Sequence, residues 1–101
     1  MNINEYVRMC QTFDWNGTST VIDPVRCHDG FTMSVQASRF HYCSPRLYGI
    51  GEYTELEVGF PNMDEETLFP YSDGGSVYAY VPVSVIDAII EKHGGIANIK
   101  R

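Results

Sequence analysis

Residues 27–43 read CHDGFTMSVQASRFHYC, with a Cys–His pair at one end and His-x-Cys at the other. Three arrangements use such a stretch: a metal site, a disulfide-closed loop, or a β-hairpin whose strands carry two thiols. Asp29-Gly30 is a tight-turn dipeptide, because Gly supplies the positive φ that the turn needs. After it, Phe31, Met33, Val35 and Ala37 alternate with Thr32, Ser34 and Gln36, the period of a half-buried strand. Val25-Arg26-Cys27 is the short strand before the turn. The stretch reads as a hairpin first and a site second.

Zinc takes four N or S ligands in a tetrahedron, and Cys27, His28, His41 and Cys43 supply the right atoms. His41 and Cys43 point the same way in an extended chain, whereas the adjacent Cys27 and His28 point apart. Structural zinc sites place at least two residues between paired ligands. A small zinc-stabilised module therefore stands as the alternative reading, and no cofactor is expected. A Cys27–Cys43 disulfide is geometrically conceivable, but three cysteines without a secretory leader fit a reducing, cytoplasmic setting. Nucleophilic catalysis needs a thiolate, a base and an oxyanion site together; Cys43 with His41 or His28 is the one candidate set, and the chain has no visible excess of length to form a cleft.

Outward from this stretch the signals are local. Asn2 and Glu5 form a capping-box pattern ahead of Ile3, Tyr6, Val7, Cys10 and Phe13, which predicts a helix over 3–13 ended by Trp15-Asn16-Gly17. Cys10 falls on its apolar stripe. Leu47–Gly51 reads as a loop. Tyr53–Phe60 predicts a strand with Thr54, Leu56, Val58 and Phe60 on one face and Tyr53, Glu55 and Glu57 on the other. Pro61–Pro70 is a connection with room for one helical turn. Ser72-Asp73-Gly74-Gly75 is a turn. Ser76–Val81 predicts the last strand, with Val77, Ala79 and Val81 facing one way and Tyr78 and Tyr80 the other. Pro82 and Ser84 open a helix through Val85, Ile86, Ala88, Ile89 and Ile90, closed by His93-Gly94-Gly95. The expectation is one α+β domain over 1–101: a single antiparallel sheet of about four strands with an N-terminal and a C-terminal helix on one face.

The 101 residues are 44% hydrophobic, 13% aromatic and 20% charged, enough apolar surface for one core. No run approaches the roughly 20 apolar residues of a membrane span. Gly49, Gly51 and Gly59 do not form a phosphate loop before a helix. No basic patch is interleaved with aromatics, which disfavours direct nucleic-acid binding. The formal net charge of −6 is unevenly spread. Glu5, Asp14, Asp23 and Asp29 cancel Arg8, Arg26, Arg39 and Arg46. Residues 47–91 then carry nine acids and no Lys or Arg: Glu52, Glu55, Glu57, Asp64, Glu65, Glu66, Asp73, Asp87 and Glu91. Such a block serves either as a solvated face that keeps a small domain soluble or as a surface for a basic partner.

The runs GFTMSVQASRFHYCSPR (30–46), YTELEVGFP (53–61) and VYAYVPVSVIDAIIEKHGG (77–95) resemble a group of small proteins encoded by bacteriophages, prophages and other mobile elements. The resemblance covers roughly residues 25–95 and carries no activity onto them. It implies a setting, an accessory protein inside a bacterial cell; small acidic proteins of that kind are often inhibitors of host machinery, CRISPR effectors and other defence systems included. The charge layout points the same way. Glu55 and Glu57 sit about 6.5–7 Å apart along a strand, close to the spacing of successive phosphates. The expected contact residues are Glu52, Tyr53, Glu55, Glu57, Asp64, Glu65, Glu66, Asp73, Tyr78 and Tyr80, with the tyrosines as anchors. The expected partner is a basic host protein, such as a nucleic-acid-binding complex, and no catalytic residue is assigned.

Overall fold

The capping box closes as its spacing predicts: Glu5 N–H donates to Asn2 Oδ1 at 2.9 Å and Asn2 N–H to Glu5 Oε1 at 3.0 Å. These bonds satisfy two of the donors that a helix start leaves without partners. The computed structural model describes residues 1–10, 22–38, 40–46 and 52–98. Helix α1 spans Ile3–Cys10 and buries Ile3, Tyr6 and Val7, with Cys10 half-buried against the core. The expected continuation to residue 13, its Trp15-Asn16-Gly17 exit and the Leu47–Gly51 loop lie outside the described residues.

Strands β1 (Val25–Arg26), β2 (Thr32–Gln36), β3 (Glu55–Gly59) and β4 (Val77–Pro82) form one antiparallel sheet in the order β1-β2-β3-β4. Helix α2, Val83–Lys92, follows β4 directly. The buried residues of both helices share one core with Met33, Val35, Leu56, Val58 and Val81 of the strands. The helices therefore cover one face, and the fold is α+β. Among the described residues no helix is long and apolar enough to cross a membrane.

The Asp29-Gly30 turn links β1 to β2 with Gly30 at φ +94° and Gly30 N–H donating to Cys27 O at 3.0 Å. On its other side β1 is closed by residues 95–98. Cys27 bridges Ile96, Ala97 N–H donates to Arg26 O at 2.7 Å, and Arg26 N–H donates to Asn98 Oδ1 at 2.9 Å. An exposed strand edge is a template for another chain, and this segment covers it.

Tyr53, Thr54, Phe60 and Tyr78 differ from simple alternation, Thr54 being exposed rather than on the apolar face. Tyr53 is 4% exposed and lies in the core, because β3 begins only at Glu55. Asn4 holds the backbone there, donating to Tyr53 O and accepting from Tyr53 N–H. Phe60 is 68% exposed, turned out of the apolar face by a left-handed backbone at φ +53°. Tyr78 packs against the core rather than sharing a face with Tyr80. The cause is a bulge: Leu56 pairs with Val81 and Val58 with Tyr78, so Glu57 opposes both Ala79 and Tyr80. One extra residue inverts the facing of the strand beyond it.

Two substitutions test this backbone by urea unfolding. A left-handed non-glycine residue costs about 1–2 kcal/mol, and Phe60 has little burial to lose. Phe60→Gly is expected to stabilise the chain by about 0.5–1 kcal/mol after the entropy cost of glycine. At Gly94, φ is +91° and an added Cβ would sit 3.3 Å from His28 Cβ. Gly94→Ala is expected to destabilise by about 1–2 kcal/mol.

Candidate functional site

Glu55 and Glu57 project from the face of β3 opposite Leu56 and Val58, and both are half-buried. They are held in place by neighbours. Ser44 Oγ donates to Glu55 Oε1 at 2.8 Å, and Tyr42 N–H donates to Glu57 Oε2 at 3.1 Å. Tyr42 is held there because its backbone bonds to Glu57 and Tyr80 just before Ser44 pairs with β3 opposite Glu55. Tyr80 N–H, turned outward by its left-handed backbone at φ +53°, donates to Tyr42 O at 3.1 Å. The two tyrosine rings lie 5.9 Å apart, tilted by 41°, and both are exposed. Arg46 places its guanidinium 5.9 Å from the Tyr42 ring centre. Among the described residues neither Glu55 nor Glu57 forms an ion pair. The arrangement presents two carboxylates, each fixed through one oxygen, beside two aromatic rings.

The other expected contact residues are not gathered with them. Glu52 is paired with Arg8 of α1. Asp64 and Glu66 are exposed on the connection after β3, and Asp73 Oδ1 accepts Gly75 N–H in the turn before β4. Tyr53 and Tyr78 belong to the core side, as described above. Glu65 is the largest departure: its carboxyl is 1% exposed. The 3-10 helix Glu66–Tyr71 follows it, and Leu68, three residues on, is fully buried. A 3-10 turn stacks positions i and i+3, so Glu65 goes in with Leu68.

Buried there, Glu65 is met by cations. Lys92 Nζ approaches Oε2 at 2.8 Å, Thr67 Oγ1 donates to Oε2 at 3.2 Å, and His93 Nε2 lies 3.0 Å from Oε1. His93 Nδ1 in turn lies 2.6 Å from Asp29 Oδ2, and its ring stacks on Phe31 with centres 4.1 Å apart. Burial pushes the Glu65 pKa up, but the bonds from Lys92, His93 and Thr67 outweigh it and hold the carboxyl below its ordinary 4.5. Burial likewise pulls His93 down, yet its bonds to Asp29 and Glu65 leave it above 6.5. Asp29 is held below 3.8, first by the Phe31 N–H and then by His93. The end of α2 also favours cations at Lys92 and His93. The cluster joins the β1–β2 turn, the connection after β3 and the end of α2. Both imidazole nitrogens are occupied by carboxylates, so the ring has no free position for acid–base work.

Among the described residues no three His, Cys, Asp or Glu side chains gather to hold a metal ion. The candidate ligands Cys27, His28, His41 and Cys43 are thus not brought together. Cys27 is buried beside Ile96, and His28 is exposed next to Gly94. His41 Nδ1 pairs with Ser38 Oγ at 2.7 Å, and Cys43 Sγ donates to Ser38 O at 3.2 Å. Both buried thiols are free, and burial pushes both up in pKa. No protein-family model, curated protein or solved structure matches the chain.

Proposed function

We propose that the chain is a non-enzymatic binding protein that docks the outer face of its sheet, centred on Glu55 and Glu57, on a basic surface of another protein. The observation that carries this reading is the pair of half-buried carboxylates on β3, fixed by Ser44 and Tyr42 and flanked by the exposed Tyr42 and Tyr80 rings. Fixed carboxylates lose little freedom on binding, and tyrosines add contact area at low entropic cost. The net charge of −6 would speed encounter with a basic partner. Raised thiol pKa values and a fully occupied imidazole favour a binder over a catalyst.

Within this reading the partner is a host nucleic-acid-binding complex, whose phosphate-binding channel takes the spaced carboxylates in place of phosphates. The setting is the bacterial cytoplasm, in keeping with the phage-protein resemblance and three cysteines. The acidic row is shorter than the sequence suggests, because Glu52 and Glu65 are already paired within the chain. The test is binding of a fluorescent arginine-rich peptide, read by anisotropy. Affinity is expected to fall at least about tenfold between roughly 50 and 300 mM NaCl, as screening of exposed charges requires. Salt-independent binding would count against the reading.

A further inference from the structure

The end of α2 is stitched to the β1–β2 turn by a bond that depends on one proton. His93 faces Asp29 Oδ2 through Nδ1 and Glu65 Oε1 through Nε2. An ionised carboxylate only accepts, so both ring nitrogens must donate, and only the imidazolium has two N–H groups. When the proton leaves, one of the two bonds fails. Exposure decides which: the Glu65 carboxyl is 1% exposed and cannot turn to water, whereas that of Asp29 is 45% exposed and can. Asp29 lets go.

The seam beside that bond is the one that closes the edge of β1. Asp29 N–H donates to His93 O at 3.3 Å and His28 N–H to Gly95 O at 3.1 Å, after which Ile96, Ala97 and Asn98 run along Cys27 and Arg26. We infer that residues 95–98 form a strap held shut by the proton on His93. With the imidazolium in place the strap covers the edge of β1; with the neutral ring the Asp29 Oδ2 contact is lost, Oδ1 keeping the Phe31 N–H, and the strap loosens. Among the described residues, the other charged or titratable groups beside the positions that meet His93 are Glu91 and Lys92 on its own helix, Cys27 and His28 before Asp29, and the exposed Asp64 and Glu66 on either side of Glu65. Lys92 neutralises Glu65 in either state, so the proton acts on the Asp29 side. Release lies on the alkaline side, because the two carboxylates hold the ring above 6.5 against the opposing effect of burial.

The test is amide hydrogen exchange of the full chain from about pH 6 to 9, corrected for intrinsic rates, with ring titration of His93 by NMR. Protection at His28 and Ala97 is expected to fall at least about tenfold relative to Val58, in step with the titration of the ring. Asp29→Asn should abolish that fall: its Oδ1 can still accept the Phe31 N–H, and its Nδ2 can donate to the neutral Nδ1. Parallel protection at all three amides across the range, in the unaltered chain, overturns the inference. So does a full pH-dependent fall that persists in Asp29→Asn.

Discussion

Glu65→Ala is expected to lower the unfolding free energy by about 3–4 kcal/mol, a large part of the stability of a domain this size. The change removes a carboxylate that is 1% exposed, leaves the His93 Nε2–H buried without its acceptor, and opens a void beside Leu68. Breaking one member of a buried ion pair is costly because the other charge stays behind. The neighbours provide the control. Asp64→Ala and Glu66→Ala alter exposed carboxylates and should each change stability by less than about 0.5 kcal/mol. Urea unfolding of the three variants separates one buried acid from two solvated ones. Equal effects at all three positions would mean that Glu65 is not buried.

The same cluster sets how stability varies with pH. His93 is raised in the folded chain, so its contribution is complete below about 6.5 and is lost as pH rises through its higher folded value. Glu65 is lowered, so its contribution is complete above about 4.5 and is lost as pH falls through its lower folded value. Between these limits the cluster contributes in full.

Glu55→Lys/Glu57→Lys is expected to abolish binding of the arginine-rich peptide, by about 100-fold or more. Two fixed charge contacts of about 1.5 kcal/mol each account for roughly that factor, before any repulsion is added. Glu55→Gln/Glu57→Gln keeps oxygens for the Ser44 hydroxyl and the Tyr42 N–H while removing the charge. It should therefore weaken binding without unfolding the outer loop. Asp64→Lys/Glu66→Lys changes the net charge by the same amount at exposed positions off the strand, and should weaken binding less than about threefold. If the two reversals prove equivalent, attraction to the overall charge would explain the binding, and the docking face would be abandoned.

The elements with local signals were legible in the sequence. The Asn2–Glu5 box, the Asp29-Gly30 turn, the alternation through Val35 and the Ile86–Ile90 stripe each depend on residues within a turn of one another. The bulge at Ala79–Tyr80 was not legible, because it reflects how β4 pairs with β3 and leaves VYAYV looking like plain alternation. The fate of Glu65 was hidden by its neighbours: Asp64-Glu65-Glu66 looks uniformly solvated, and the partner His93 lies 28 positions away. One local clue was present, the spacing of three between Glu65 and Leu68. A similar clue marked His93, which continues the Ile86, Ile89, Ile90 stripe onto the buried side of α2. On the candidate face, Glu55 and Glu57 were legible from period two. Tyr42 was not, because nothing local reveals that its backbone bonds to Glu57 and Tyr80.

The closure of β1 by residues 95–98 bears on the order of synthesis. The ribosome makes α1 and β1 before the rest of the sheet, and although β2 pairs with β1 at once, partners of α1 come late: Ile3 bonds to Asp87, 84 positions on, and the Tyr6 hydroxyl accepts from Asn98, 92 positions on. Strands β2 to β4 can pair as they emerge, while the apolar side of α1 waits in the open until α2 is complete. Such distant pairings slow folding and prolong exposure of sticky surface while the chain is being made.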